Sequence, residues 1–154
     1  MIDKVKEEIE ELTKKLKLNC SVEEFKDEIG WYYISWTQFL SEDFIREFKD
    51  KVDWFEISRY QKLSENFIRE FQDKVEWQSI SVHQRLSENF IKEFQDKIIW
   101  QAISYFQILS EDFIKEFKNK LDLTYLLTNN IISQSFYNFL LNEKVNRFEL
   151  MKIW

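Results

Sequence analysis

The 154 residues carry 22 Lys and Arg against 28 Asp and Glu, a net charge of −6, and a 44% hydrophobic share that is ample for the core of one domain. An acidic total argues against a phosphate-polymer binder unless a local basic patch survives. A single Gly rules out a Gly-rich phosphate loop and a nucleophile elbow, while one cysteine excludes an internal disulfide framework.

In chain order, Ile2 to Leu16 reads as an amphipathic helix, with Ile2, Val5, Ile9, Leu12 and Leu16 on one face and Lys and Glu on the other. Its charges are mixed, so a cap over a repeat array is expected rather than a membrane-surface helix. The segment is too charged for a signal peptide, and no apolar run approaches the roughly 20 residues that span a bilayer. With the lone Cys20, which has no CxxC partner and reads as a small buried hydrophobe, these features place the chain in a reducing, cytoplasmic compartment.

From Leu40 the chain repeats. LSEDFIREFKDKVDWFEISRYQK is followed by LSENFIREFQDKVEWQSISVHQR from Leu63 and LSENFIKEFQDKIIWQAISYFQI from Leu86, with a decaying copy from Leu109. The openings stand 23 residues apart, the mark of a repeat array. A degraded copy fits residues 17–39, and residues 132–154 fill one last period as a C-terminal cap repeat. The whole is predicted to be one repeat domain with repeats at 17–39, 40–62, 63–85, 86–108 and 109–131. A leucine-rich repeat has a similar period but needs alternating leucines followed by Asn or Cys, which are missing here.

Numbering each repeat from its opening Leu, positions 1, 5, 6, 9 and 13 (Leu63, Phe67, Ile68, Phe71, Val75) share one helical stripe. Trp77 and Ile80, at positions 15 and 18, would fall on its opposite side. A break near Asp73, a residue type that tolerates left-handed backbone, gives two short helices: helix A, capped by Ser64 with Glu65 in its first turn, and helix B from about Glu76 to Gln84. The expected fold is an all-α solenoid of stacked short hairpins with an N-terminal capping helix. Trp and Ile would form the stacking seam, with Trp77→Ala costing about 3–5 kcal/mol.

The two helices differ in what they hold constant. Helix A keeps even its outer face, where Glu42–Arg46, Glu47–Lys51, Glu65–Arg69 and Glu88–Lys92 are i,i+4 pairs typical of a solvated surface. Helix B fixes Trp (31, 54, 77, 100), Ile (34, 57, 80, 103), Ser (35, 58, 81, 104) and Gln (38, 61, 84, 107). Ser reads as a small residue for close helix approach. Gln reads as a satisfier of freed backbone groups, against the rival of a ladder reading nucleic-acid bases. The residues between these anchors change in every repeat and are rich in aromatics, where unselected drift would favour small polar side chains. They form a variable stripe whose candidate partner-binding residues are Trp36, Phe55, Arg59, Tyr60, Tyr105 and Phe106. His83, the only histidine, belongs to the same stripe and has no catalytic partner motif.

No catalytic, cofactor or metal motif is present, so an enzyme is not expected. The repeat LSE(D/N)FI(R/K)EF-x-(D/N)K(V/I)-x-W-x-x-IS-x-x-Q resembles short helical repeats in uncharacterised proteins of giant DNA viruses and phages, over roughly Leu40 to Leu121. The resemblance implies an all-helical array and transfers no activity or functional residue. A viral origin would suit an inhibitor of a host factor. The stripe is near neutral, because Arg59 and Lys62 oppose Asp53 and Glu56 while Arg85 opposes Glu76. It therefore points to a protein partner, with single-stranded nucleic acid as the alternative.

Overall fold

The computed structural model describes residues 3–150, with the side chains of residue 28 and of residues 143–150 excepted. Ile2 and the end of the C-terminal cap lie outside the described residues. The described chain is all-helical: α1 (Asp3–Lys15), α2 (Phe25–Glu28), α3 (Trp31–Thr37), α4 (Glu42–Glu47), α5 (Trp54–Tyr60), α6 (Glu65–Glu70), α7 (Trp77–His83), α8 (Glu88–Glu93), α9 (Trp100–Phe106), α10 (Glu111–Phe117), α11 (Leu123–Thr128) and α12 (Gln134–Leu150). From Leu40 to Thr128 the even-numbered helices are helix A of a repeat and the odd-numbered ones helix B. The helices pack as two compact bodies, Met1–Gln84 and Arg85–Trp154.

Each helix A starts where its serine caps it. Ser41, Ser64, Ser87 and Ser110 sit in extended backbone, and each hydroxyl accepts the N–H of the Phe three residues on. The helix stops after six residues, or seven in α10, without any left-handed residue. Instead, the Phe71 carbonyl accepts the N–H groups of Lys74 at 2.9 Å and Val75 at 3.0 Å, closing a tight right-handed turn. Asp73 therefore does not play the expected left-handed part; among described non-Gly residues, positive φ occurs only at Lys17 (55°) and Asn130 (56°). A turn of this kind makes no demand for Gly, which accounts for its near absence.

The buried seam is built from Phe and Ile. Phe44, Phe67, Phe90 and Phe113, the Ile that follows each of them, and Ile34, Ile57, Ile80 and Ile103 are all essentially inaccessible. The column tryptophans Trp31, Trp54, Trp77 and Trp100 are only half buried. Each of Trp31, Trp54 and Trp100 lies over two phenylalanines of the next repeat, as Trp54 does on Phe67 (6.2 Å between centroids) and Phe71 (5.0 Å). Its indole N–H donates to a carbonyl five residues back, Lys49 in the case of Trp54, at 2.8 Å. Trp thus covers the seam instead of filling it, and the large loss expected for Trp77→Ala passes to the Phe column.

Polar columns stitch repeat to repeat. The Gln61 amide donates to the carbonyls of Ser35 (2.8 Å) and Gln38 (2.7 Å), and its oxygen accepts the Leu40 N–H at 3.0 Å. Gln84 repeats all three bonds one repeat on, to Ser58, Gln61 and Leu63. This is the backbone-satisfying role expected of the column, and it gives the last carbonyls of α3 and α5 their missing partners. The Ser column does more than permit close approach. Ser58 Oγ donates to the Trp54 carbonyl at 2.7 Å and accepts the Glu76 N–H of the next repeat at 2.9 Å.

Helix α1 stands in for the helix A that the first repeat has lost. Val5, Ile9 and Leu12 are buried. Glu8 takes the N–H and hydroxyl of Ser41, just as Glu42 takes the Ser64 N–H at 2.6 Å. The C-terminal period, by contrast, is not a hairpin: Gln134–Leu150 is one helix.

Asp53, Glu76 and Asp122 cap their B helices, whereas Ile99 leaves α9 without a side-chain cap. Ile99 is 42% exposed, so its loss would uncover little. Ile99→Asp is expected to stabilise the protein by about 1 kcal/mol. An unchanged or lowered urea midpoint would contradict this.

Candidate interaction surface

In the N-terminal body α3, α5 and α7 pack side by side, because positions 15, 18 and 19 of each B helix face the seam. Positions 16, 20 and 21 form an outward row, and four of the six expected binding residues lie on it. Trp36 (44% exposed), Phe55 (47%) and Tyr60 (47%) stand clear of the core, as does the charged head of Arg59. They are neighbours: the Trp36 and Tyr60 rings are 6.3 Å apart, Tyr33 meets Trp36 edge-on at 6.0 Å, and the Arg59 guanidinium lies 5.2 Å over the Tyr60 ring.

The stripe is narrower than its sequence variability suggests. Position 17 faces inward in repeats two to four, so Glu56, Ser79 and Ala102 are buried. Glu56 lies beside Tyr32, and its carboxylate, with burial and a hydrogen bond adding to the effect, pushes that phenol above the usual tyrosine range. Sequence periodicity could not separate position 17 from 16, because the choice depends on how far each B helix rolls against the one before it.

In the C-terminal body, Tyr105 is spoken for. Its ring stacks on Tyr125 at 4.0 Å and its hydroxyl donates to Asp122 at 3.1 Å. It takes part in the packing of α9 on α11 and is half buried, where the sequence pattern placed it on the variable stripe. Phe106 remains outward at 57% exposure, beside Ile108 at 90%.

Charges divide the two rows. In the N-terminal body the helix A cations are engaged across repeats: Arg46 pairs with Glu70 at 2.8 Å and Lys74 with Asp50 at 2.7 Å. The foreseen intrahelical pairs Glu42–Arg46 and Glu65–Arg69 are long, at 3.8 and 3.7 Å. Glu88 and Lys92 turn instead to the next repeat, accepting from Ser110 N–H (2.6 Å) and pairing with Glu116 (2.5 Å). Among the described residues Arg59, on the outward row, makes no ion pair.

A cleft of about 390 Å³ opens between α5 and α7, lined by Phe55, Arg59, Glu76, Gln78, Ser79, Val82 and His83. Burial and then the Arg59 charge hold the His83 imidazole below its usual range. A second concavity of about 480 Å³ lies where α1 meets residues 39–41, beside the outward-pointing Phe39. Among the described residues no group of His, Cys, Asp and Glu is placed to hold a metal ion, and no helix is long and apolar enough to cross a membrane. Cys20 is half buried with a free thiol.

These features define an α-solenoid-type helical repeat protein, its hairpins stitched by Gln and Ser columns. No sequence family, curated protein or solved structure matches the chain.

Proposed function

We propose that the chain is a non-enzymatic protein-binding module that engages its partner through the B-helix row, by Trp36, Phe55, Arg59 and Tyr60, with Phe106 on the C-terminal body. The reading rests on one contrast. The A row ties its arginines into carboxylates, while the B row leaves a guanidinium with no counter-ion among the described residues, set amid exposed aromatic rings. Trp, Tyr and Arg are the residues that supply most of the energy at protein interfaces. In a virus, such a module would serve to occupy a host factor in the cytoplasm.

A pull-down from cell lysate, with and without nuclease, tests the reading when repeated with Trp36→Ala and Tyr60→Ala. Recovery of a partner that survives nuclease and weakens at least about tenfold in both variants is expected. Nuclease-sensitive recovery, with affinity for random single strands that falls steeply with salt, would assign the row to nucleic acid.

A further inference from the structure

Resting on the B row as a protein-docking face, we propose that the cleft between α5 and α7 anchors a partner segment in which an Asp or Glu adjoins a bulky apolar residue. The carboxylate pairs with Arg59, and the apolar side chain fills the space over Ser79 between Phe55 and Val82.

The cleft follows from the sequence of α7. Position 17 holds the small Ser79 where α5 carries Glu56, and position 20 holds Val82 where α5 carries Arg59. Small side chains beside large ones leave a hollow with an aromatic wall at Phe55. Its 390 Å³ is at the low end of ligand clefts, about 300–1,000 Å³, which suits one or two side chains.

The charges select the polar half of the partner. Both oxygens of Glu76 are occupied by helix N–H groups, Gln78 at 3.2 Å and Ser79 at 2.6 Å. Glu76 keeps its charge but has no oxygen to spare, so Arg59 is the cleft's one charged group without a hydrogen-bond or ion-pair partner among the described residues, steadied by the Tyr60 ring beneath it. A guanidinium so held presents its fork to a carboxylate in bidentate fashion. His83, held toward its neutral form, adds no second full cation. One guanidinium beside the Glu76 carboxylate is poor ground for a phosphate chain, which needs several cations.

The test is selection of random linear peptides displayed on phage, using the whole protein as bait. Selected peptides are expected to carry Asp or Glu next to Leu, Ile or Phe. Synthetic copies should bind about ten- to a hundredfold more weakly to Arg59→Gln and to Val82→Trp, which fills the hollow, but equally to Arg69→Gln on the A row. Selection on Arg59→Glu should return basic peptides. Far-UV circular dichroism shows whether each variant is folded, and Arg59, being exposed, provides the variants least able to disturb the fold. Failure to select any peptide, peptides without an acid, or the same peptides from wild type and Arg59→Glu would each overturn the cleft proposal. If the peptides tolerate Arg59→Gln and Val82→Trp but are lost with Trp36→Ala and Tyr60→Ala, the docking row stands and the cleft does not. Indifference to all four variants removes both.

Discussion

Replacing Gln61 by Leu is expected to destabilise the protein by about 3–5 kcal/mol, while Gln38→Leu should be neutral or slightly stabilising. The two residues occupy the same position of adjacent repeats, and both are buried. Gln61 satisfies two carbonyls and one N–H in the repeat junction, and each buried group left without a partner costs about 1–3 kcal/mol. Gln38 has no complete repeat before it. Its amide N–H reaches only Thr37 at 3.0 Å, and its Oε1 is buried without a partner, so a leucine there removes a desolvation penalty and breaks little. Urea melts of the two variants decide the matter, and equal losses would mean that the column acts by side-chain packing alone.

The second large effect belongs to the Phe column. Phe67→Ala should cost about 3–5 kcal/mol, more than Trp54→Ala, although tryptophan is the larger side chain. Phe67 is wholly buried, with Phe71 at 4.7 Å, Trp54 at 6.2 Å and the Arg46 guanidinium 5.0 Å over its ring. Its loss opens a cavity that the flanking rigid turns cannot collapse. Trp54 lies partly at the surface, so water fills part of the space it would vacate. A larger loss of stability for the tryptophan variant would show that the seam is centred on the indoles after all.

Legibility of the fold in the sequence differed by residue type. Ser64 with the Phe–Ile pair that follows, repeated at fixed spacing, reveals helix A because capping and periodicity are local properties. The Gln column could be assigned its role because a buried amide in an array has few partners other than freed backbone groups. Four of the six candidate residues, Trp36, Phe55, Arg59 and Tyr60, form one exposed group on neighbouring B helices. The contacts of Tyr105 were not legible, since they are made with Tyr125 and Asp122 in the next repeat. Nothing within the Tyr105 repeat reports on that neighbour.

By itself the sequence determined the all-helical class, the 23-residue period, the helix A caps and the division into a constant and a variable row. All of these follow from spacing along one chain segment. Only the tertiary structure decided which aromatic fills the seam, how α1 replaces a missing helix A, and that position 17 turns inward. It alone showed a cleft between α5 and α7 with the Arg59 guanidinium exposed at its edge. Those features depend on the roll and distance between helices some 20 residues apart, which are set by the volumes of side chains from two repeats meeting at once.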